Sequence, residues 1–393
     1  MIVRQFLHWL RTASSGERAE ATSALARAYL YSDLCADDYA AAEGAMVMLL
    51  DDSSPLVRRA LAEVFAGCAE APPIVVHALA NDQPDVAEPI LKSSPLLLDA
   101  DLVEAVAAGE PERQIAIASR AKLPCSVSAA VAEVGCAEAC LTLLENHEAE
   151  IVAFSLDRMV ERFGHLAVIR DSILARADLP APTRQALVVK LSETLAEFVT
   201  SREWLAEERA RRITREACEK ATIALAAESM EGEARPLVRH LRESGQLTAG
   251  LILRSLLSGH TELFEEALAD LAQVPLSRVV GIVHDRRGAG FRALYDKAGL
   301  PAAVFTAFRE ALEAMREEGF IFEPGGATRL KRRIIERTLT RCESESPEEI
   351  EPLLTLLRRY AGEAAREEAR LFCDELVSDG VMAPDPDLHS VAA

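Results

Sequence analysis

The chain has 393 residues and a formal charge of −20, with half of its residues hydrophobic but only 5% aromatic. So acidic a surface argues against general affinity for nucleic acid or anionic membranes, because attraction to phosphate requires positive charge. The Ala- and Leu-rich, aromatic-poor composition favours closely packed helices over a β-sandwich, which would use more Val, Thr and Tyr.

The N-terminal segment 1–11 is apolar but interrupted by polar and basic residues, so it lacks the continuous apolar run of an export signal. No later segment has the roughly eighteen uncharged apolar residues of a membrane-spanning helix. Eight cysteines in so long a chain do not form a dense disulfide framework. We therefore expect a cytoplasmic protein without a membrane span. The N-terminal helix is interpreted as a cap on the helices that follow, with a membrane-surface helix using Phe6 and Trp9 as the alternative.

Segment 51–65 has the pattern of a helix start followed by an amphipathic helix. Asp52 and Ser54 can supply oxygens to the free N–H groups of the first turn, and Pro55 suits a position whose N–H is unpaired in any case. One apolar stripe follows, made of Val57, Ala60, Leu61, Val64 and Phe65. Weaker copies of this pattern follow, and they predict an array of helix pairs.

The copies open at Pro55, Pro84, Pro111, Ala149 and Pro182, with spacings of 29, 27, 38 and 33 residues. A two-helix unit takes about thirty to forty-five residues, so each interval is predicted to hold one helix pair. The partner helices are predicted at 74–79, 102–108, 127–134 and 166–175.

The sequence Asp52-x-x-Pro55-x-Val57-Arg58 resembles the opening of HEAT-like repeats, of the short kind found in bilin lyases. The resemblance extends over about residues 15–200 and implies an α-solenoid of HEAT-like helix pairs. Such solenoids present extended surfaces that bind proteins.

The whole chain also resembles an alphaproteobacterial family of uncharacterised proteins, domain of unknown function 2336. The resemblance lies in Gly16–Leu25, in His284–Phe291 and in the continuation Tyr295–Pro301. It implies a helical fold and supplies no reaction.

Beyond the repeats, segment 201–229 has neither Gly nor Pro and carries many charges, which predicts a long, solvated connecting helix. It would link a repeat solenoid at 1–200 to a helical C-terminal domain at 230–342. A long helix at 347–379 and a flexible tail at 380–393 complete the prediction. Shorter helices are predicted at 235–243, 249–257, 263–272, 276–283, 291–297, 302–317 and 328–342. No run of residues alternates as a strand would, so the predicted fold class is all-α.

Cys125, Cys136 and Cys140 cluster in sequence near His147 and Glu148, but their gaps do not match a zinc finger or ribbon. The His-Glu pair resembles those of HEAT-like di-iron hydroxylases, which use several pairs where this chain has one. No nucleophile elbow, zinc-protease motif or phosphate loop occurs. We therefore predict no catalytic residues, no metal and no cofactor, and a protein that is not an enzyme.

The loop 284–290 is the best local candidate for an anion site. Its two glycines allow unusual backbone angles, and the free N–H groups of the helix predicted after it would suit a phosphate or carboxylate. The candidate residues are Arg286, Arg287, Gly288, Gly290 and Arg292. A tight interhelical turn with solvated arginines is the alternative. No strand precedes the loop, as a dinucleotide-binding fold would require.

Segment 329–341 carries six basic residues against one acid. They are Arg329, Lys331, Arg332, Arg333, Arg337 and Arg341. This basic helix can bind an acidic protein partner, bind nucleic acid, or pair with acidic neighbours such as Glu348, Glu349 and Glu351. No interleaved aromatic residues accompany it, which disfavours binding of single strands.

The sequence thus predicts a cytoplasmic protein-interaction scaffold or regulatory adaptor that uses a helical-repeat surface. One alternative is a receptor for an anionic small ligand or nucleotide at the loop 284–290. Another is a nucleic-acid binder that uses the basic helix.

Overall fold

The structure is a computed structural model that describes residues 9, 12–176, 179–228, 232–285, 288, 290–318, 326–343 and 351–381. Within these ranges every regular element is a helix and no strand occurs, which confirms the predicted all-α fold. The chain divides into two compact units, Met1–Phe198 and Val199–Ala393.

The first unit is built from short helices joined by short loops. In chain order they are α1 (Ser15–Tyr31), α2 (Ala36–Leu49), α3 (Pro55–Phe65), α4 (Pro73–Ala80), α5 (Pro84–Ser93), α6 (Asp99–Ala107), α7 (Pro111–Ala118), α8 (Cys125–Val134), α9 (Ala137–Glu145), α10 (Ala153–Phe163), α11 (Ala167–Leu174) and α12 (Ala181–Ser201). The last of these ends just beyond the boundary between the units.

These helices stack in two layers. Helices α1, α3, α5, α7, α9 and α11 contact one another in succession and form the first layer. Helices α6, α8 and α10 do the same in the second layer, and α2 contacts α4. Apart from α2 and α4, which pack mainly on the adjacent helices α1 and α5, the helices from α1 to α11 pack mainly on the helix two positions away in sequence, which gives a solenoid-like stacking.

The register of the later repeats differs from the predicted one. First-layer helices begin at residues 55, 84, 111, 137 and 167, so the spacing stays between 26 and 30 residues. The opening predicted at Ala149 is wrong, because the helix that follows it, α10, lies in the second layer. The predicted 38-residue interval holds three helices. Its missed start, α9, has no proline and is capped by Cys136, whose Sγ accepts a hydrogen bond from the Ala139 N–H at 3.4 Å.

The first repeat helix, α3, forms as its sequence predicts. Val57, Leu61 and Phe65 are fully buried in a single hydrophobic core that extends from Ala26 to Leu187. The cap differs in detail: Ser54 makes no side-chain hydrogen bond to the first turn. Asp52 instead accepts a hydrogen bond from the Ser54 N–H at 2.8 Å, which fixes the loop before the helix.

The second unit contains longer helices. They are α13 (Glu207–Glu228), α14 (Ala234–Glu243), α15 (Ala249–Leu257), α16 (Thr261–Ala272), α17 (Leu276–Val283), α18 (Phe291–Lys297), α19 (Phe305–Glu318), α20 (Gly326–Glu343) and α21 (Glu351–Val381). A 3-10 turn, Ala302–Val304, precedes α19. Helices α19, α20 and α21 pack in succession, and α15 contacts α13, α16, α19 and α20.

The connecting helix predicted at 201–229 begins later than expected, at Glu207. Glu203 has φ +56°, in the left-handed region where helices commonly end. The Trp204 N–H then donates to the Val199 carbonyl at 3.0 Å, which satisfies a carbonyl of the last turn of α12. A local backbone reversal therefore separates α12 from α13.

An aromatic cluster forms part of the core of the second unit. Phe264 from α16 stacks on Phe308 from α19, with ring centroids 6.0 Å apart. Tyr295 from α18 meets Phe305 edge to face at 5.0 Å, and its hydroxyl donates to the Pro301 carbonyl at 2.6 Å. These contacts hold α16, α18 and α19 together.

Candidate interaction surface and charged sites

Arginine side chains tie each repeat of the first unit to its neighbour. Arg18 on α1 donates two hydrogen bonds, of 2.9 and 2.8 Å, to the carboxylate of Asp52 in the loop before α3. Arg58 on α3 forms the same bidentate pair with the carboxylate of Asp82 in the loop before α5. In each pair the guanidinium and the carboxylate form two parallel hydrogen bonds in one plane, so the loop that carries the aspartate is held in a fixed position on the preceding repeat.

Further along the array, arginines also bind main-chain carbonyls of the preceding repeat. Arg113 donates to the Asp82 carbonyl at 2.7 Å, and Arg162 donates to the carbonyls of Ala132 and Gly135, each at 2.7 Å. These bonds satisfy carbonyls at helix ends that have no partner inside their own helix.

The N-terminal ends of α6, α8 and α10 lie along one edge of the first unit. The Ser126 hydroxyl at the start of α8 donates to Asp99 Oδ2 at the start of α6, at 2.8 Å. The Glu150 N–H, just before α10, donates to the Leu123 carbonyl, just before α8, at 2.9 Å. These two bonds connect the three helix starts directly.

Large apolar side chains point outward at this edge. Leu98, the residue before α6, is 70% exposed, and Phe154, the second residue of α10, is 71% exposed. Val152, the residue before α10, is also exposed. We call Leu98, Val152 and Phe154 the apolar edge. Single exposed apolar residues are ordinary, but these three lie at the same end of α6 and α10, two helices of one layer with α8 between them, as the anchor positions of a binding surface would.

Carboxylates accompany the apolar edge. Asp99 follows Leu98 in sequence, Glu150 precedes Val152 by two residues, and Glu148 lies in the same loop, all exposed. An apolar surface with acidic flanks favours a partner that carries apolar residues between basic ones.

The basic helix predicted at 329–341 forms as part of α20, and its charges are paired inside the second unit. The ion pairs are Arg329 with Glu375, Lys331 with Glu367, Arg332 with Glu336 and Glu368, and Arg341 with Glu310 and Glu313. Arg333 and Arg337 also interact with neighbours. The acids of these pairs come from α19, α20 and α21. Of the acidic neighbours suggested by sequence, Glu351 pairs with Arg358, and residues 348 and 349 lie outside the described ranges.

The candidate anion loop is only partly described, because Arg286 and Arg287 lie outside the described residues. Gly288 has φ +65°, as a glycine-specific turn requires. Gly290 has an ordinary φ of −91°, so the expectation of unusual angles is wrong there. A Cβ at this position would lie 3.3 Å from Ile282 Cγ2, so close packing is the reason for glycine.

Arg292, the remaining candidate of that loop, is engaged within the second unit. Its Nε lies 3.0 and 2.9 Å from the two carboxylate oxygens of Asp296, one turn along α18. Its guanidinium carbon lies 4.4 Å from the centroid of the Phe305 ring. Sequence reasoning missed a neighbouring contact, His284 Nε2 to Glu265 Oε1 at 2.8 Å, because the two residues come from different helices.

The cysteine cluster serves packing and capping. Cys140 is fully buried, and burial raises the pKa of its thiol to about 11. Its Sγ lies 3.5 Å from the Val131 carbonyl, while Cys136 caps α9. Among the described residues no three His, Cys, Asp or Glu side chains converge as metal ligands would.

The stacked layers define an all-helical protein with solenoid-like packing in its first unit. The chain belongs to the family described as uncharacterised protein conserved in bacteria (DUF2336), whose family model matches residues 86–347. The resemblance read in residues 284–301 lies inside this match, and the one in Gly16–Leu25 lies outside it. No curated protein and no solved structure matches the chain. Over the described ranges, no helix has both the length and the apolar character needed to cross a bilayer.

Proposed function

We propose that this protein is a non-enzymatic, cytoplasmic interaction scaffold or regulatory adaptor of the HEAT-like kind, whose first unit binds a protein partner at the apolar edge. The observation that carries the proposal is the exposure of Leu98 and Phe154 on aligned helices of one layer. Burying apolar surface contributes about 25 cal/mol per Å². Phenylalanine is enriched at the core of interfaces.

The geometry of the apolar edge favours an amphipathic helix as the partner element. Helices α6 and α10 are separated by α8, and packed helices lie about 8 to 10 Å apart. The edge therefore extends over about 20 Å, which is the length of roughly thirteen helical residues at 1.5 Å each. A helix of that length can place apolar residues nearly four turns apart, one at each end of the edge, because each turn rises about 5.4 Å. Asp99, Glu148 and Glu150 would then meet basic residues that flank its apolar stripe.

The two alternatives have less support. Nucleic-acid binding through the basic helix would require free cations, but Arg329, Lys331, Arg332 and Arg341 all pair with glutamates. Anion binding at the loop 284–290 rests on Arg286 and Arg287 alone, since Arg292 pairs with Asp296.

The proposal is tested by affinity capture from the native cell, with partners identified by mass spectrometry. The variants are Leu98→Asp and Phe154→Asp, and the matched control is Val168→Asp. Val168 is 59% exposed and is the second residue of α11, in the other layer. We expect one set of partners to be retained by the wild type and by Val168→Asp, and lost by the two edge variants.

Thermal melting checks that all three variants fold like the wild type, since none of the replaced side chains is buried. Loss of capture in all three variants, or in none, would show that the apolar edge does not select the partner. A photoreactive residue at position 154 should crosslink to the captured partner, whereas one at position 168 should not.

A further inference from the structure

The second unit contains a cavity of about 270 Å³ between α13, α15, α20 and α21. At roughly 30 Å³ per water molecule, this volume corresponds to about nine waters. It is large enough for a compound of small-metabolite size. Lys331, one of the basic residues singled out in the sequence, lines it.

Each of three helices contributes one cationic and one aliphatic side chain to the lining of this cavity. On α13, Lys220 is followed three residues later by Ile223. On α15, Arg254 is followed three residues later by Leu257, and on α20, Lys331 is followed four residues later by Ile335. Residues three or four apart lie on one face of a helix, one turn from each other. The lining therefore combines three cations with three aliphatic side chains.

The carboxylates of the lining are already engaged. Glu367 forms ion pairs with both Lys220 and Lys331, the second at 2.9 Å. Glu363 accepts hydrogen bonds from Arg254 Nη2 with both of its oxygens, at 3.2 and 3.0 Å. Each lysine ammonium has three N–H groups and uses one of them here, so donors remain available while the acceptors are occupied.

Three buried polar atoms of the lining make no hydrogen bond within the described chain: two belong to the donors Arg254 Nε and the Tyr360 hydroxyl, and the third, Glu367 Oε1, forms the ion pair with Lys220. Arg254 is 5% exposed, and its Nε lies 3.8 Å from Glu219 Oε2, which is too far for a hydrogen bond. Tyr360 is 3% exposed, and its hydroxyl has the Arg254 guanidinium beside it but no acceptor for its own proton. Buried donors without acceptors are rare in folded proteins, so this cluster is incomplete on the acceptor side.

The charges of the lining residues also favour a ligand that supplies acceptors. The described residues that line the cavity include three permanent cations, Lys220, Arg254 and Lys331, and two carboxylates, Glu363 and Glu367. Burial and the nearby charge of Lys331 lower the pKa of His260, so this imidazole is neutral at pH 7. The lining itself thus has one positive charge in excess, and the next carboxylate, Glu219, lies outside the lining at 3.8 Å from Arg254 Nε.

We propose that this cavity binds a small organic acid, a carboxylate on an apolar body of up to about ten non-hydrogen atoms. The carboxylate accepts hydrogen bonds from the cationic group, and the apolar body packs against Ile223, Leu257 and Ile335. The site lies wholly in the second unit and is independent of the apolar edge.

Binding is measured by calorimetry on the full chain with benzoate and hexanoate as probes. Benzamide and hexylamine serve as matched compounds of the same size without the negative charge. We expect saturable binding at one site for at least one of the two acids, accompanied by a rise in melting temperature. The amide should bind at least about tenfold more weakly, and the amine not at all. No saturable binding of either acid, or equal binding of acid and amide, would overturn the proposal.

Variants locate the binding site. Lys331→Met removes a lining cation, and Arg332→Met is the matched control on the next residue of α20, which pairs with Glu336 and Glu368 and does not line the cavity. We expect the first to weaken acid binding about tenfold and the second to leave it unchanged. If the two variants weakened acid binding equally, the acid would be attracted by the positive charge of α20 in general, and the proposal that it binds in this cavity would be refuted.

A cavity-filling variant gives an independent check. Ala224 lines the cavity and is exposed, so Ala224→Phe can occupy the space without disturbing the core. We expect this variant to keep the wild-type melting temperature in the absence of acid and to lose acid binding. Undiminished binding by Ala224→Phe would place the acid elsewhere and contradict the proposal.

Discussion

The guanidinium carbon of Arg254 lies 4.2 Å from the centroid of the Tyr360 ring, and both side chains are almost fully buried. Arg254 also bonds Glu363, one turn beyond Tyr360 on α21. A desolvated cation over an aromatic face contributes up to about 2 kcal/mol. Arg254 is therefore the residue through which α15 is attached to the polar face of α21.

Replacing Arg254 should be costly. We expect Arg254→Met to lower the free energy of unfolding by about 2 kcal/mol, because it removes the hydrogen bonds of a buried cation to the half-buried Glu363 and its contact with the Tyr360 ring. Burial also raises the pKa of Glu219, which loses the neighbouring charge of Arg254 as well. Urea denaturation followed by circular dichroism measures the effect. Arg242→Met is the control, since its pair with Asp270 is more exposed and is expected to contribute less than about 1 kcal/mol. Equal losses in the two variants would contradict this role of Arg254.

Acid should weaken the repeat array through Asp52 and Asp82. The hydrogen bonds from Arg18 lower the pKa of Asp52. Burial alone would raise the pKa of Asp82, but hydrogen bonds to Arg58 and the Gln83 N–H outweigh it, so this pKa is also lowered. A folded pKa below the unfolded value of about 3.9 stabilises the fold fully above that pH, and the stabilisation is lost as the pH falls through the folded value.

Asp52→Asn should therefore be less stable than the wild type at pH 7 and lose less stability on further acidification below about pH 4. Urea denaturation at a series of pH values measures both effects. Glu63→Gln is the control, because its pair with Arg59 is exposed. An unchanged pH dependence in Asp52→Asn would show that the Arg18 pair does not contribute to acid sensitivity.

Two glycines should respond in opposite ways to alanine. A Cβ at Gly135 would lie 2.4 Å from the Val131 carbonyl oxygen, so the backbone at the end of α8 would have to move and Gly135→Ala should be destabilising. Gly281 lies inside α17 with nothing within 4 Å of such a Cβ. There Gly281→Ala should stabilise the protein by up to about 1 kcal/mol, the difference in helix propensity. Melting temperatures that move in the same direction for both variants would contradict this reading of the packing.

Reversing charges on the basic helix should destabilise the second unit. In the triple variant Arg332→Glu, Arg333→Glu and Arg337→Glu, position 332 would face Glu336 and Glu368 with like charge. We expect a lower melting temperature and no selective loss of partner capture. An unchanged melting temperature together with lost capture would instead establish this helix as an acidic-partner surface.

Where local signals mark a helix start, the sequence predicts it closely. Proline at the first helical position placed the starts of α3, α5 and α7, and the helix predicted at 249–257 has the bounds of α15. The start of α9 was missed because a cysteine sulfur replaces the oxygen that usually accepts the hydrogen bond at a helix cap. This single omission moved the following repeat from one layer to the other.

The charged cavity could not be assembled from the sequence. Lys220, Arg254, Lys331 and Tyr360 lie on four helices, and each by itself resembles an ordinary residue of an amphipathic helix. On each helix the sequence shows a cation followed one turn later by an aliphatic residue. Tertiary packing alone determines which of these helix turns lie next to one another. The basic helix shows the same limit, since its excess of charge was visible while its partners on α19 and α21 were not.

The span of the hydrogen bonds gives the two units different folding histories on the ribosome. In the first unit, Arg120 and Arg162 reach back only 26 to 30 residues for their carbonyl partners, so each repeat can dock on its predecessor as soon as it is synthesised. In the second unit, the pair of Arg254 with Glu363 joins residues 109 positions apart, and that of Glu216 with Arg359 joins residues 143 positions apart. Neither pair can form before the later residue has been synthesised. The nascent chain therefore leaves the ribosome with a folded array attached to a second unit whose buried charges stay in water until α21 has emerged.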